Sequence, residues 1–122
     1  MTDAEAIAFA QKHVAIWNSH EIDRIMDLYS DDAQLASPLA KTLTGDGILR
    51  GKPALRAYFA DALATYPELE FELITTLRSV ESITLYFKSI AGRIVAEVLF
   101  LDRTGRIARV YAHYACAGVD NA

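Results

Sequence analysis

Between residues 66 and 69 the apolar side chains change their period, and no other feature of the chain constrains the fold as much. Before that point they recur every three to four residues, the spacing of a helix face. Thr2 and Glu5 fit a capping box, the reciprocal side-chain to backbone bonding that opens a helix. Ala6, Ile7, Phe9, Ala10, His13, Val14, Ile16 and Trp17 then fall on one half of the helical wheel. Asn18-Ser19-His20 breaks the pattern, and Ile22, Ile25, Met26 and Tyr29 mark a short second helix ending at Ser30-Asp31-Asp32. An extended piece, Ala33 to Ser37, runs into Pro38, which disfavours helical geometry in the residue before it. Ala40 to Gly51 has no clear period, and its Gly45-Asp46-Gly47 reads as a solvent turn. Gly51-Lys52-Pro53 opens a third helix with the stripe Leu55, Phe59, Ala62, Leu63 and Tyr66, stopped by Pro67.

From Leu69 onward the period is two. Leu69, Phe71 and Leu73 alternate with Glu70 and Glu72, and Ile83, Leu85 and Phe87 alternate with Ser82, Thr84, Tyr86 and Lys88. Two longer strands, Arg93 to Leu101 and Arg106 to Cys116, flank Asp102-Arg103-Thr104-Gly105, a tight hairpin with Gly available for positive φ. Helices followed by an antiparallel meander predict an α+β fold with helices packed on one sheet face.

A chain of 122 residues reads as one domain spanning 1–122, with a core that needs no staples. A composition that is 52% hydrophobic and 23% charged excludes intrinsic disorder. Sixteen acidic residues outnumber twelve basic ones, and the basic residues are scattered. Nucleic-acid binding and a polybasic membrane patch are therefore not expected. The acidic start lacks the apolar run of a signal peptide, and Cys116 is the single cysteine, so a cytoplasmic, reducing location is the simplest expectation. His13, His20, His113 and Cys116 have no metal-ligand spacing, and Gly45-Asp46-Gly47 is not a phosphate loop. No metal and no cofactor are expected.

The local motifs, taken in order, resemble the nuclear transport factor 2-like superfamily, and within it ketosteroid isomerase-like and SnoaL-like proteins. They are His13-Val14-Ala15-Ile16-Trp17-Asn18 leading into Glu21-Ile22-Asp23, then Tyr29-Ser30-Asp31-Asp32-Ala33, Arg50-Gly51-Lys52-Pro53-Ala54-Leu55-Arg56 and Gly105-Arg106-Ile107-Ala108-Arg109. The resemblance covers essentially the whole chain. It implies a curved antiparallel sheet wrapped around three helices into a cone, with a pocket at its open end and a homodimer through the outer sheet face. The superfamily hosts several reactions as well as plain binding proteins, so the fold alone does not name one.

Two polar residues interrupt the apolar pattern. Glu97 sits in Val95-Ala96-Glu97-Val98-Leu99-Phe100-Leu101, the most apolar run of the chain, and His13 sits in the middle of the first helical stripe. A carboxyl in such surroundings is paired, opens into a cavity, or stays neutral through a raised pKa. The resemblance implies that Glu97 matches the protonated Asp of the isomerase oxyanion hole and that His13 stands where a Tyr donor stands. The two are then expected to face each other in the pocket, as catalytic residues acting on an apolar carbonyl-type ligand. The isomerase base, an Asp before Pro, is replaced here by Ser37-Pro38, and serine cannot abstract a proton without a base of its own. The counterpart of the last Asp of related epoxide hydrolases is Ala112. Expected pocket walls are Phe9, Trp17, Ser37, Tyr58, Phe59 and Leu99. Hairpin loop length alone leaves the register of the last strand open by one residue, a slip that swaps its faces. The family register implied by the resemblance turns Val110, Ala112 and Tyr114 inward. Arg109, Tyr111 and His113 then face outward, towards a partner, while His20 reads as a capping or solvent residue. The functional expectation is an isomerase- or lyase-type enzyme without a cofactor, with a non-catalytic binding or dimerisation module as the alternative.

Overall fold

The computed structural model describes residues 1–116. Helix α1 (Asp3–Asn18) starts at the Thr2–Glu5 capping box, with both reciprocal bonds formed. It buries Ala6, Ala10, His13, Val14, Ile16 and Trp17, while Ile7, at the stripe's edge, stays exposed. Helix α2 is a short turn (Ile22–Met26), and strand β1 (Tyr29–Ala36) follows at once. Tyr29 to Asp32 is therefore strand, where the sequence pattern suggested the end of a helix. Tyr29 is buried on that strand, and its apolar body continues the helical pattern only by coincidence of spacing.

The aperiodic stretch folds into a turn at Pro38–Ala40, the four-residue α3 (Lys41–Thr44) and the short strand β2 (Ile48–Arg50). Asp46 caps Ile48 and pairs with Arg50 at 2.8 Å, as a surface turn does. Helix α4 (Lys52–Thr65) begins with Pro53 in its first turn and buries Leu55 and Phe59. Strands β3 (Glu72–Arg78), β4 (Ser82–Lys88), β5 (Ile94–Leu101) and β6 (Ile107–Tyr114) complete the chain.

The sheet order is β2-β1-β6-β5-β4-β3. All pairs are antiparallel except β1 with β6, which run parallel and are connected the long way round, through β2, α4 and strands β3 to β5. Register shifts interrupt the β1–β6, β3–β4 and β5–β6 pairs. Such irregularities strengthen local twist, and here they accompany a sheet that curls without closing. Helix α1 packs against β3 and α4 against β1, so the helices fill the concave side. That side buries Ile83, Leu85, Phe87, Val95, Leu99, Ile107, Val110 and Ala112.

Candidate functional site

Alternation along β5 decides where Glu97 goes. Val95 and Leu99 are buried on the concave face, and Glu97 lies between them with the same parity. Its cross-strand neighbours are Leu85 on β4 and Ala112 on β6, both buried and neither able to pair with a carboxylate. The side chain is 18% exposed and opens into a cavity of about 420 Å³. Burial pushes the Glu97 carboxyl up to about 7.

Seven aromatic side chains line the cavity. Trp17 meets Phe59 edge-on at 4.7 Å between centroids, Trp17 lies 5.4 Å from Phe71, and Phe71 lies 4.6 Å from Phe87. Behind this wall the Trp17 indole N–H donates to the Tyr29 hydroxyl at 3.3 Å. Burial, and then the charge of Glu97, hold the Tyr29 phenol well above its ordinary range. Tyr58 and Tyr114 also line the cavity, and the Ser37 hydroxyl lies beside both phenols. Burial pushes Tyr114 up to about 12 against the opposing influence of the Ser37 hydroxyl, and burial raises Tyr58 too. Both phenols therefore remain donors at neutral pH. At the rim Arg93 lies over the Tyr114 ring, 5.1 Å from its centroid.

The segment between α4 and β3 is fastened to the end of α1. The Asn18 side chain donates to the Phe71 carbonyl at 3.0 Å and accepts from its N–H at 2.7 Å. His20 is bonded through Nε2 to the Leu69 carbonyl at 2.6 Å, with its own φ at 60°. His20 thus clamps a cavity-wall segment instead of facing solvent.

His13 is 1% exposed and stacks on Phe9 at 6.1 Å. Its Nε2 lies 3.9 Å from Glu97 Oε1, and neither ring nitrogen has a hydrogen-bond partner. Burial pushes the imidazole down to about 4, so the ring is neutral where Glu97 titrates. The two polar outliers meet, but His13 stands behind Glu97 and not on the cavity wall.

Trp17, Tyr58, Phe59, Glu97 and Tyr114 border the cavity among the expected residues. Ser37, Leu99, Val110 and Ala112 do not. Leu99, Val110 and Ala112 are packed into the core. Ser37 is 4% exposed, accepts from the Leu39 N–H at 3.2 Å and borders a shallow depression, with its hydroxyl beside the Tyr58 and Tyr114 phenols. Phe9 borders a different pocket, beside His13. Arg109, Tyr111 and His113 are exposed on the convex face. Phe71, Phe87 and Arg93 line the cavity without having been expected there. The first two share the parity of buried neighbours, a signal that alternation carried.

Among the described residues no three His, Cys, Asp or Glu side chains gather as a metal site would require, and no helix is long and apolar enough to cross a membrane. Residues 10–110 match the SnoaL-like domain. The chain is similar to a SnoaL-like protein of unknown function from Burkholderia thailandensis, with 35% identity, a TM-score of 0.91, and coverage of 95% of this chain and 99% of that one. It is also similar to a candidate isomerase of the SnoaL-like family from Agrobacterium tumefaciens, at 18% identity and TM-score 0.74, covering 93% and 99% of the two chains. A further likeness is to SalBIII, an epoxide hydrolase/cyclase-like enzyme of pyran ring formation in salinomycin, at 16% identity and TM-score 0.73, covering 94% and 95%. Those last two speak to the fold alone. No curated protein matches the sequence. Domain match, close structural relative and cone architecture agree: the chain belongs to the SnoaL-like family.

Proposed function

We propose that this chain is a cofactor-independent enzyme that moves a proton on an apolar, carbonyl-bearing small molecule, with Glu97 as the proton carrier. The observation that carries the reading is the placement of the Glu97 carboxyl, flanked across the strands by Leu85 and Ala112, in a cavity rich in aromatic rings. A group with a pKa near 7 is present in useful amounts as both acid and base at neutral pH. In the forward step the Glu97 carboxylate takes a proton from the carbon beside the carbonyl. The C–H bond breaks, an O–H bond forms on Glu97, and the electron pair moves onto the carbonyl oxygen as an enolate. The phenols of Tyr114 and Tyr58 are the donors available to that oxygen. Where the substrate carries a C=C bond next to that carbon, the enolate is conjugated with it. Return of the same proton to the far carbon of that bond then shifts the double bond and completes an isomerisation. Glu97 thereby takes the part that Ser37 cannot play. His13 acts through Glu97, as a positioning residue.

Deuterium exchange into 2-decalone, an apolar bicyclic ketone, tests this by NMR. The wild type is expected to speed exchange beside the carbonyl by about 10²–10⁴-fold over buffer, and Glu97→Gln to return it to the buffer rate. No acceleration by the wild type contradicts the reading. A second reading, binding without turnover, is favoured by Ser37 at the usual base position and off the cavity wall. Binding of 2-decalone without exchange selects it. We also propose that the convex sheet face carries a second copy of the chain, supported by the exposed Tyr86 and Tyr111 and by Arg109 over Phe100.

A further inference from the structure

Two opposite charges stand at the mouth of the main cavity without pairing. Arg93 leads into β5, and Asp61 lies on α4. Both are exposed, both line the cavity, and neither forms an ion pair among the described residues. Arg93 is also the only cation among the described residues that lines it. Its backbone is pinned in a turn. The Ser89 N–H donates to the Arg93 carbonyl at 2.7 Å, and the Arg93 N–H donates to the Ile90 carbonyl at 3.1 Å. The guanidinium lies 5.1 Å from the centroid of the Tyr114 ring. Stacking of this kind engages the flat face of the guanidinium and leaves the N–H groups along its edge for a carboxylate, which they match two at a time.

Arg93 has extended backbone (φ −64°, ψ 128°) and shares the parity of Val95 and Glu97, which line the same cavity. Four residues of chain, about 13 Å at the ordinary rise, separate the exposed guanidinium position from the recessed Glu97. We propose that Arg93 is a carboxylate-binding residue and that the ligand is a keto acid, its carboxylate and its carbonyl at opposite ends of an apolar body. A cavity of about 420 Å³ is of small-molecule size. The apolar body leaves water among the aromatic rings, while the carboxylate stays at the wet rim, where the cost of desolvating it is small. Asp61 repels an anion from the α4 wall and leaves Arg93 as its place. A ligand held in this way enters with its carbonyl end towards Glu97.

The inference rests on Glu97 as the group that meets the carbonyl, yet its test needs no turnover. The probes are 6-oxodecahydronaphthalene-2-carboxylate and its methyl ester, one body with and without the charge. Binding is read from the fluorescence of Trp17, the single tryptophan and part of the cavity wall. At about pH 6 the Glu97 carboxyl is mostly protonated and the probe acid is ionised. The wild type is expected to bind the acid roughly fivefold to tenfold more tightly than the ester. Arg93→Met is expected to abolish that preference while leaving the ester affinity within about twofold. In the wild type itself, about 0.5 M salt is expected to shrink the preference, as it does for an exposed ion pair. An acid bound no more tightly than its ester, a preference that survives Arg93→Met, or one indifferent to salt overturns the proposal. An Arg93-dependent preference without ketone exchange sinks only the functional reading, and exchange without the preference sinks only this one.

Discussion

Burial drives Glu97 and His13 in opposite senses, and this couples the pair to the stability of the fold. Glu97 moves from 4.5 to about 7, so the folded state binds its proton more tightly than the unfolded chain does. Its contribution is present below pH 4.5 and is lost as pH rises through 7. His13 moves from 6.5 to about 4, so the unfolded chain binds that proton more tightly. Its contribution is present above pH 6.5 and is lost as pH falls through 4. Between pH 4.5 and 6.5 the two slopes oppose and nearly cancel. Each alone approaches about 1.4 kcal/mol per pH unit. Urea unfolding is therefore expected to show little contribution from the pair in the wild type across that window. His13→Phe is expected to lose stability as pH rises, and Glu97→Gln to gain it. Matching slopes in the two variants contradict the account. At this scale the sequence was informative, because a carboxyl in Val95–Leu101 and an imidazole in an apolar stripe stand out by type alone. That His13 lies behind Glu97 was not legible, since depth depends on how closely α1 approaches the sheet.

Elements with a local cause were legible in the sequence. The α1 start follows from Thr2 and Glu5, the α4 start from Gly51-Lys52-Pro53, and the last hairpin from Asp102 and Gly105. The Asp102 carboxylate accepts from the Thr104 and Arg106 N–H groups, and Gly105 takes φ 84°. The parity of β6, left open by one residue from loop length alone, is fixed by pairing Leu99 with Val110 and Glu97 with Ala112. Elements with a distant cause were missed. Tyr29–Asp32 becomes strand because β6 lies alongside it, a partner almost eighty residues away in the chain. The convex row that this register creates bears on assembly. Tyr111 is 39% exposed, and Phe100 meets it edge-on at 5.8 Å with Arg109 above. Tyr111→Glu is expected to turn a dimer into a monomer by light scattering while leaving the circular dichroism unchanged. A wild-type monomer at micromolar concentration contradicts the proposed pairing.

For the whole molecule, the change of period near residue 66 separates the helices from strands β3 to β6, while β1 and β2, which precede it, join the same sheet. The curved sheet and its pocket were expected from the family resemblance and not from the periodicity, because they accompany register shifts in three strand pairs and the clamp of Asn18 and His20 on the 69–71 segment. The apolar excess of the composition is spent in three places: the core, the aromatic cavity and the convex face. The functional account depends on one property of this arrangement, that the cone holds the Glu97 carboxyl where it changes protonation at neutral pH. Carbon-13 NMR titration of side-chain-labelled glutamate, with the Glu97 signal assigned by Glu97→Gln, measures it directly. The account predicts a midpoint near 7. A midpoint in the ordinary carboxylate range near 4.5 would contradict it.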